Sequence, residues 1–366
     1  YNFQTKMLKI KLFDPHVGIE EKKAITKTLM SKFWASGQGT GNVLKFEKKF
    51  KTFIGSDSCV AVNSGTAALN LAISLLDIKD KEVILPSLSF VSTAHSVLIN
   101  GGIPVFVDVD PQTLCIDPIS IEKVLTKKTK LILPVHFGGF PCQLYEIKKI
   151  ANENSCFVVE DAAHAMGSTY NHQKIGKHSF AACFSFHPVK NLAMPNGGLV
   201  SINHKNHKKI EKRLKSLRWC GISDRKFSNY DVNELGNNYY MNEFSAAIGL
   251  VQLKKINKLT KIRQNTAKRY FNEIIIDEKM PFDNRCAYHL YWIRVKNRKK
   301  FRELLDKKHI ETGTHYRPIH TFTLYKNNTS LQITEKIANE IVTIPIHPNL
   351  KKDEIDKIIL TINKLV

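Results

Sequence analysis

The chain has 366 residues, 43% apolar and 24% charged, the balance of a soluble globular protein with material for one large and one smaller domain. No apolar run approaches the roughly 18 residues needed to span a bilayer, and the N-terminus YNFQTKMLKIKLF lacks the apolar core and small-residue cleavage site of a secretion signal. The formal charge of +22 (55 Lys+Arg against 33 Asp+Glu) is spread along the chain without an RNP-like aromatic motif or zinc-finger spacing, so it reads as a lysine-rich surface or a field drawing in a phosphate-bearing small substrate, not as a nucleic-acid site.

Because Tyr1 is no ordinary start residue, residues 1–6 read as a remnant, with Met7 the start. From residue 57 to 200, short apolar runs alternate with amphipathic stretches. Strands are predicted at 58–63, 82–86, 104–109, 130–136, 156–161, 181–186 and 197–202, and helices at 65–76, 91–100, 119–126 and 142–154. Val/Ile/Leu-rich strands separated by helices predict a mostly parallel seven-stranded sheet covered on both faces. Ligands of such sheets gather beyond the carboxyl ends of the strands, where Asn63, Pro86, His136, Asp161 and Phe186 fall. Residues 203–232 are basic and polar; a long amphipathic helix follows at 241–259, then a strand at 288–295 and helices at 299–309 and 351–365. The expected division is a large domain over 1–250 and a smaller α+β domain over 251–366. The seven cysteines are odd in number, scattered and without a CxxC pair, which suggests neither zinc nor disulfides and fits a reducing cytoplasm.

Three segments carry chemistry. In NSGTAAL (63–69), Gly65 and Thr66 open a helix whose free N–H groups could hold a phosphate; an N-cap by Ser64 or Thr66 explains the same residues. In VVEDAAHA (158–165), Asp161 ends an apolar strand, where it could pair with a ring nitrogen or cap the next helix, and His164 could stack on a ring or reach its phenolic oxygen. In FSFHPVKNL (184–192), Ser185 could add a phosphate contact and Lys190, among apolar residues, could carry a Schiff base. Phe90, in PSLSFVSTAH (86–95), is either a core aromatic or a ring stacked on a cofactor. Phosphate, ring nitrogen and aldehyde are the three handles of pyridoxal 5'-phosphate (PLP).

With these residues assembled, the chain resembles the DegT/DnrJ family of PLP-dependent nucleotide-sugar aminotransferases. The likeness runs through SGQGTGNVLKFEKKF (36–50), VAVNSGTAALNLAI (60–73), PSLSFVSTAHSVL (86–98), VVEDAAHAMGS (158–168), SFHPVKNL (185–192), NNYYMNEFSAAIGLVQL (237–253), HYRPIH (315–320) and IPIHPNL (344–350). The resemblance implies an aspartate-aminotransferase-like (fold type I) large domain with a small C-terminal one, and a homodimer with shared active sites. It implies that Gly65, Thr66 and Ser185 hold the phosphate, Phe90 stacks on the ring, Asp161 pairs with the pyridine nitrogen and Lys190 forms the Schiff base. Asn238 would reach the phosphate from the partner subunit. The implied reaction passes an amino group from an amino acid, glutamate, to a nucleotide-linked keto-deoxy sugar in amino-sugar and surface-polysaccharide biosynthesis. SFHP, where other members have SFYP or SFFP, resembles the group that aminates carbon 4. Candidate substrate contacts are His187, His315, Arg317, His320 and His347.

The chain departs from the family in three places. Pro195-Asn196-Gly197-Gly198 replaces a turn with an acidic second residue, leaving the two glycines that permit the turn. Tyr240 stands where the interface motif has arginine, and LRWCG (217–221) carries Trp219 and Cys220 in a loop expected to shape the sugar site. Lysine at 190 argues against the branch that removes a hydroxyl. The rival readings are a keto-cyclitol or other keto-sugar substrate on the same machinery, and a non-catalytic PLP-fold regulator. A nicotinamide dehydrogenase is disfavoured, since no GxGxxG follows the first strand.

Overall fold

The structure, a computed structural model, describes residues 9–326 and 329–366; the expected remnant at 1–6 and start at Met7 lie outside the described residues. All seven expected strands form one sheet: β1 (Ser58–Val62), β2 (Glu82–Pro86), β3 (Ile103–Val107), β4 (Thr129–Ile132), β5 (Phe157–Asp161), β6 (Ala181–Ser185) and β7 (Gly198–Ile202). Their order is β1-β7-β6-β5-β4-β2-β3. The pairs β2–β3, β2–β4, β4–β5 and β5–β6 are parallel, and β7 is antiparallel to β6 and β1.

Alternate residues of each strand enter two separate apolar clusters. Val60 and Val62, Val83 and Leu85, and Val200 and Ile202 join one cluster; Ala61, Ile84 and Leu199 join the other. Side chains on a strand point to opposite faces in turn, so both faces are buried, as the unbroken apolar runs require.

Helix Glu243–Glu273 runs 14 residues past the end of its amphipathic signature at 259, and Asn242 caps it by accepting a bond from Ser245 N. Beyond it, strand Tyr291–Arg294 pairs antiparallel with Ile341–Ile344, flanked by helices Arg298–Lys307, Gln332–Glu340 and Lys352–Asn363. The sequence reading did not anticipate Ile341–Ile344 or Gln332–Glu340. Nor did it anticipate helices Ile19–Met30, Asn42–Ile54 and His207–Leu217, or the hairpin Ile222–Lys226/Asn229–Val232. Residue 250 lies inside the unbroken long helix, and Ile10 bridges to Ile310 while Leu12 N bonds to Glu311. We therefore propose a division in which the N-terminal strap travels with the C-terminal unit and the long helix joins the two.

Candidate active site

The carboxyl ends of β2, β5 and β6 open on one cavity of about 460 Å³. At one end, Ser64 caps helix Gly65–Ser74 by accepting a bond from Ala67 N (3.1 Å). The first turn of a helix leaves N–H groups without intrahelical partners, and Gly65, which opens this one, lies against Ser185 at the end of β6. Gly65 is needed here because a Cβ would sit 2.7 Å from that of Ser185. The Thr66 hydroxyl meets that of Ser92 at 2.7 Å. These amides and hydroxyls form a cradle suited to an anion.

Asp161 closes β5 at the cavity floor, buried. Its Oδ2 accepts from Thr93 Oγ1 (2.8 Å) and its Oδ1 from Ala163 N (3.1 Å). Because Thr93 spends its proton on the carboxylate, the Ser89 hydroxyl 2.8 Å away must donate to Thr93. Burial pushes the Asp161 carboxyl up, with the bonds from Thr93 and Ala163 and the charge of Lys190 opposing; a cationic partner would complete its compensation. Behind it, buried His136 holds Glu160 at 2.8 Å; burial pushes Glu160 up, but His136 brings it below its ordinary value. His136 N also bonds the Asp161 carbonyl, so this pair fixes the end of β5.

Lys190 follows β6 on a turn in which its N–H bonds His187 O. Its Nζ lies 3.3 Å from His289 Nε2. Desolvation lowers the amine to about 8, with the charge of Asp161 opposing. Burial first, then the Lys190 charge, keeps His164, His289 and His315 neutral, His315 down to about 4. His164 Nδ1 accepts from Gly138 N (3.3 Å), so its Nε2 carries the proton and donates to Tyr316 Oη at 3.1 Å. That leaves the Tyr316 hydroxyl proton free for a ligand. Phe90 stands at the mouth, tilted against Tyr316 at 6.2 Å, and Asn196 and Gly197 line the rim.

Of the residues singled out in the sequence, Gly65, Thr66, Phe90, Asp161, His164, Ser185, His187, Lys190 and His315 share this cavity. The others are placed elsewhere. Arg317 bonds Thr321, stacks on Phe322 and lines a different cavity. His320 is buried between Ser87 and Glu335, and His347 bonds the Lys11 carbonyl, so these three candidate substrate contacts lie outside the lining of the Lys190 cavity. Trp219 packs on Gly37 and beneath Arg225, outside the cavity lining. Asn238 and Tyr240 also lie outside it, Asn238 exposed. The two glycines after Pro195-Asn196 are not there for turn conformation. Neither has a left-handed φ, and a Cβ on Gly198 would collide with the backbone of Ser64 and Gly65.

The sequence reading passed over Thr93, Tyr316 and His289. Thr93 and Tyr316 are one to three residues from named positions, in the PSLSFVST and HYRPIH segments; His289 sits in YHLYWIRV, where an apolar strand pattern masks it.

Among the described residues no helix is long and apolar enough to cross a membrane, and no His/Cys/Asp/Glu group is set to hold a metal. The sequence model of the DegT/DnrJ/EryC1/StrS aminotransferase family matches residues 15–363. The chain is 34% identical over 380 residues to the spore coat polysaccharide biosynthesis protein SpsC of Bacillus subtilis, covering 96% of each. Its structure resembles that of PseC from Helicobacter pylori, an aminotransferase involved in the biosynthesis of pseudoaminic acid (TM-score 0.91, 28% identity, 97% of this chain and 98% of that one). It also resembles the PLP form of the putative sugar aminotransferase Spr1654 from Streptococcus pneumoniae (TM-score 0.92, 25% identity, 98% of each).

Proposed function

Because the chain belongs to the DegT/DnrJ/EryC1/StrS aminotransferase family, whose members are PLP-dependent, we propose that it passes the amino group of glutamate to carbon 4 of a nucleotide-linked 4-keto-6-deoxy sugar in surface-polysaccharide biosynthesis. That the chain is a PLP-dependent sugar aminotransferase follows from the family and its structural relatives; donor, sugar and carbon are our reading. The observation that carries it is the meeting of Lys190, Asp161 and the Gly65–Ser185 cradle in one cavity.

The residues fit PLP. The Gly65 and Thr66 amides with the Ser185 hydroxyl would hold the phosphate, Asp161 the ring nitrogen, Phe90 and His164 the ring faces, and Lys190 the aldehyde. When bound, PLP supplies an electron sink for the substrate carbon that loses its proton. Lys190 moves that proton. An amine near 8 is part free base and part ammonium at neutral pH, so it can both take and return a proton. Asp161, fixed by Thr93, Ala163 and the His136–Glu160 pair, would pair with the ring nitrogen and favour its protonated form. Neutral His187 and His315, with the uncharged rim at Asn196, offer hydrogen bonds to a sugar without adding charge beside Lys190.

We further place the enzyme in the cytoplasm as a homodimer in which Asn238 reaches the partner's phosphate site. Met30 (74%), Trp34 (51%) and Phe227 (96%) are large apolar side chains left exposed, as contacts to a second copy would use. The test is an assay with glutamate and a panel of keto-sugar nucleotides and keto-cyclitols. Oxoglutarate released together with a 4-amino-6-deoxy sugar nucleotide supports the reading; turnover confined to cyclitols, or to a 3-keto sugar, overturns it.

A further inference from the structure

We propose that His289 is the positioning residue of Lys190: its neutral imidazole accepts a hydrogen bond from the Lys190 ammonium and holds the amine at the cavity wall whenever it is not joined to the cofactor. The inference rests on Lys190 being the cofactor's lysine.

The ring is placed for this by its own contacts. It is 1% exposed, and its backbone N bonds Gly138 O at 2.8 Å. Phe13 stacks on it at 5.6 Å and 21°, and His164 leans on it at 4.4 Å. Nε2 stands 3.3 Å from Lys190 Nζ. An ammonium has donors only, so Nε2 must be the acceptor and Nδ1 must carry the ring proton. Nδ1 finds no partner among the described residues, so no other side chain competes to set this tautomer.

The electrostatic surroundings keep the ring an acceptor. The groups facing Lys190 are Asp161 at the end of β5, His164 just after it, His187 on its own turn, His289, and His315 with Tyr316 from the C-terminal unit. Behind His289 lies buried Arg263 on the long helix, which donates to the carbonyls of Tyr288 and Ile346. Burial, then Lys190, His164, Arg263 and His315, all disfavour a second proton on His289. A carboxylate in its place would lock the lysine in an ion pair and leave less free amine. A neutral acceptor gives the released amine a fixed resting place 3.3 Å away without that penalty.

The test uses full-length apo-protein and follows PLP capture by stopped-flow absorbance as pH is raised. Wild type should show a midpoint near 8. Loss of the acceptor in His289→Phe should lower the midpoint by about one unit, and His289→Gln, which retains an acceptor, should return it most of the way. His289→Leu serves if the Phe variant does not fold, and 15N spectra of wild-type apo-protein read the tautomer without any substitution. An unmoved midpoint in the apolar variant, a Gln variant shifted as far as the apolar one, or a ring protonated on Nε2 at neutral pH overturns the proposal. Wild-type protein that captures no PLP at all would instead sink the functional reading beneath it.

Discussion

Substituting Gly198 by alanine tests how tightly the end of the sheet is built against the phosphate cradle. The new Cβ would lie 2.7 Å from Gly65 N and nearer still to the Ser64 carbonyl. These are backbone atoms and cannot swing aside as a side chain can. To reach ordinary van der Waals separation, the start of helix Gly65–Ser74 must recede from β7 by about 1 Å, and overpacking of this kind costs about 3 kcal/mol. A 366-residue chain has an unfolding entropy of about 0.8 kcal/mol/K, so the melting temperature should drop by about 4 °C. The same retreat withdraws the Gly65 and Thr66 amides from Ser185, and PLP should bind about tenfold more weakly, a loss of about 1.4 kcal/mol. Calorimetry and a fluorescence titration of apo-protein measure the two effects. A melting temperature within about 1 °C of wild type together with a PLP affinity within about twofold would refute the reasoning.

Other consequences are open to simpler measurements. Arg218 is fully buried, paired with Glu47 and bonded to the carbonyls of Ala61 and Gln38; Glu47→Ala leaves that cation uncompensated and should cost about 3–5 kcal/mol in urea unfolding. His164, His289 and His315 are held neutral when folded, so the unfolded chain binds more protons and stability should fall as pH drops from about 6.5 toward 4. His315→Gln should flatten that decline in melting temperature. Lys190 has the opposite window: with its amine near 8 against an ordinary 10.5, the apo-fold should gain stability as pH climbs between those values, and Lys190→Met should remove the gain. Of the seven thiols, exposed Cys220 should alkylate first, ahead of half-buried Cys156 and the five buried ones; mass mapping after brief iodoacetamide treatment decides it.

The sheet was legible because strands buried on both faces are apolar at most of their positions, a signal that survives in five-residue runs such as SCVAV and EVILP. Helices that carry lysines over much of their surface were harder to read. His207–Leu217 shows HKKIEKRLKSL, and only Leu214 and Leu217 are buried. The long helix was cut short because its apolar face thins after Leu259 while Arg263, Thr266 and Tyr270 are buried in its place. Within the site, the residues carried by compact motifs on one turn came together, whereas the histidines of the C-terminal segments did not sort themselves. His315 reaches the cavity while His320 and His347 are spent on Ser87, Glu335 and the Lys11 carbonyl. Residue type alone cannot separate a ligand-facing histidine from one satisfied in the core. His289 shows the converse, a buried strand-edge position whose only mark is a polar atom without a partner.

The central claim is that Lys190 is the residue to which PLP attaches. Holo-protein reduced with borohydride, digested and mapped by mass spectrometry reads this directly. A pyridoxyl group is expected on the peptide containing Lys190 and none in Lys190→Ala; a label on any other lysine, or an unlabelled wild-type protein after full cofactor loading, would contradict it.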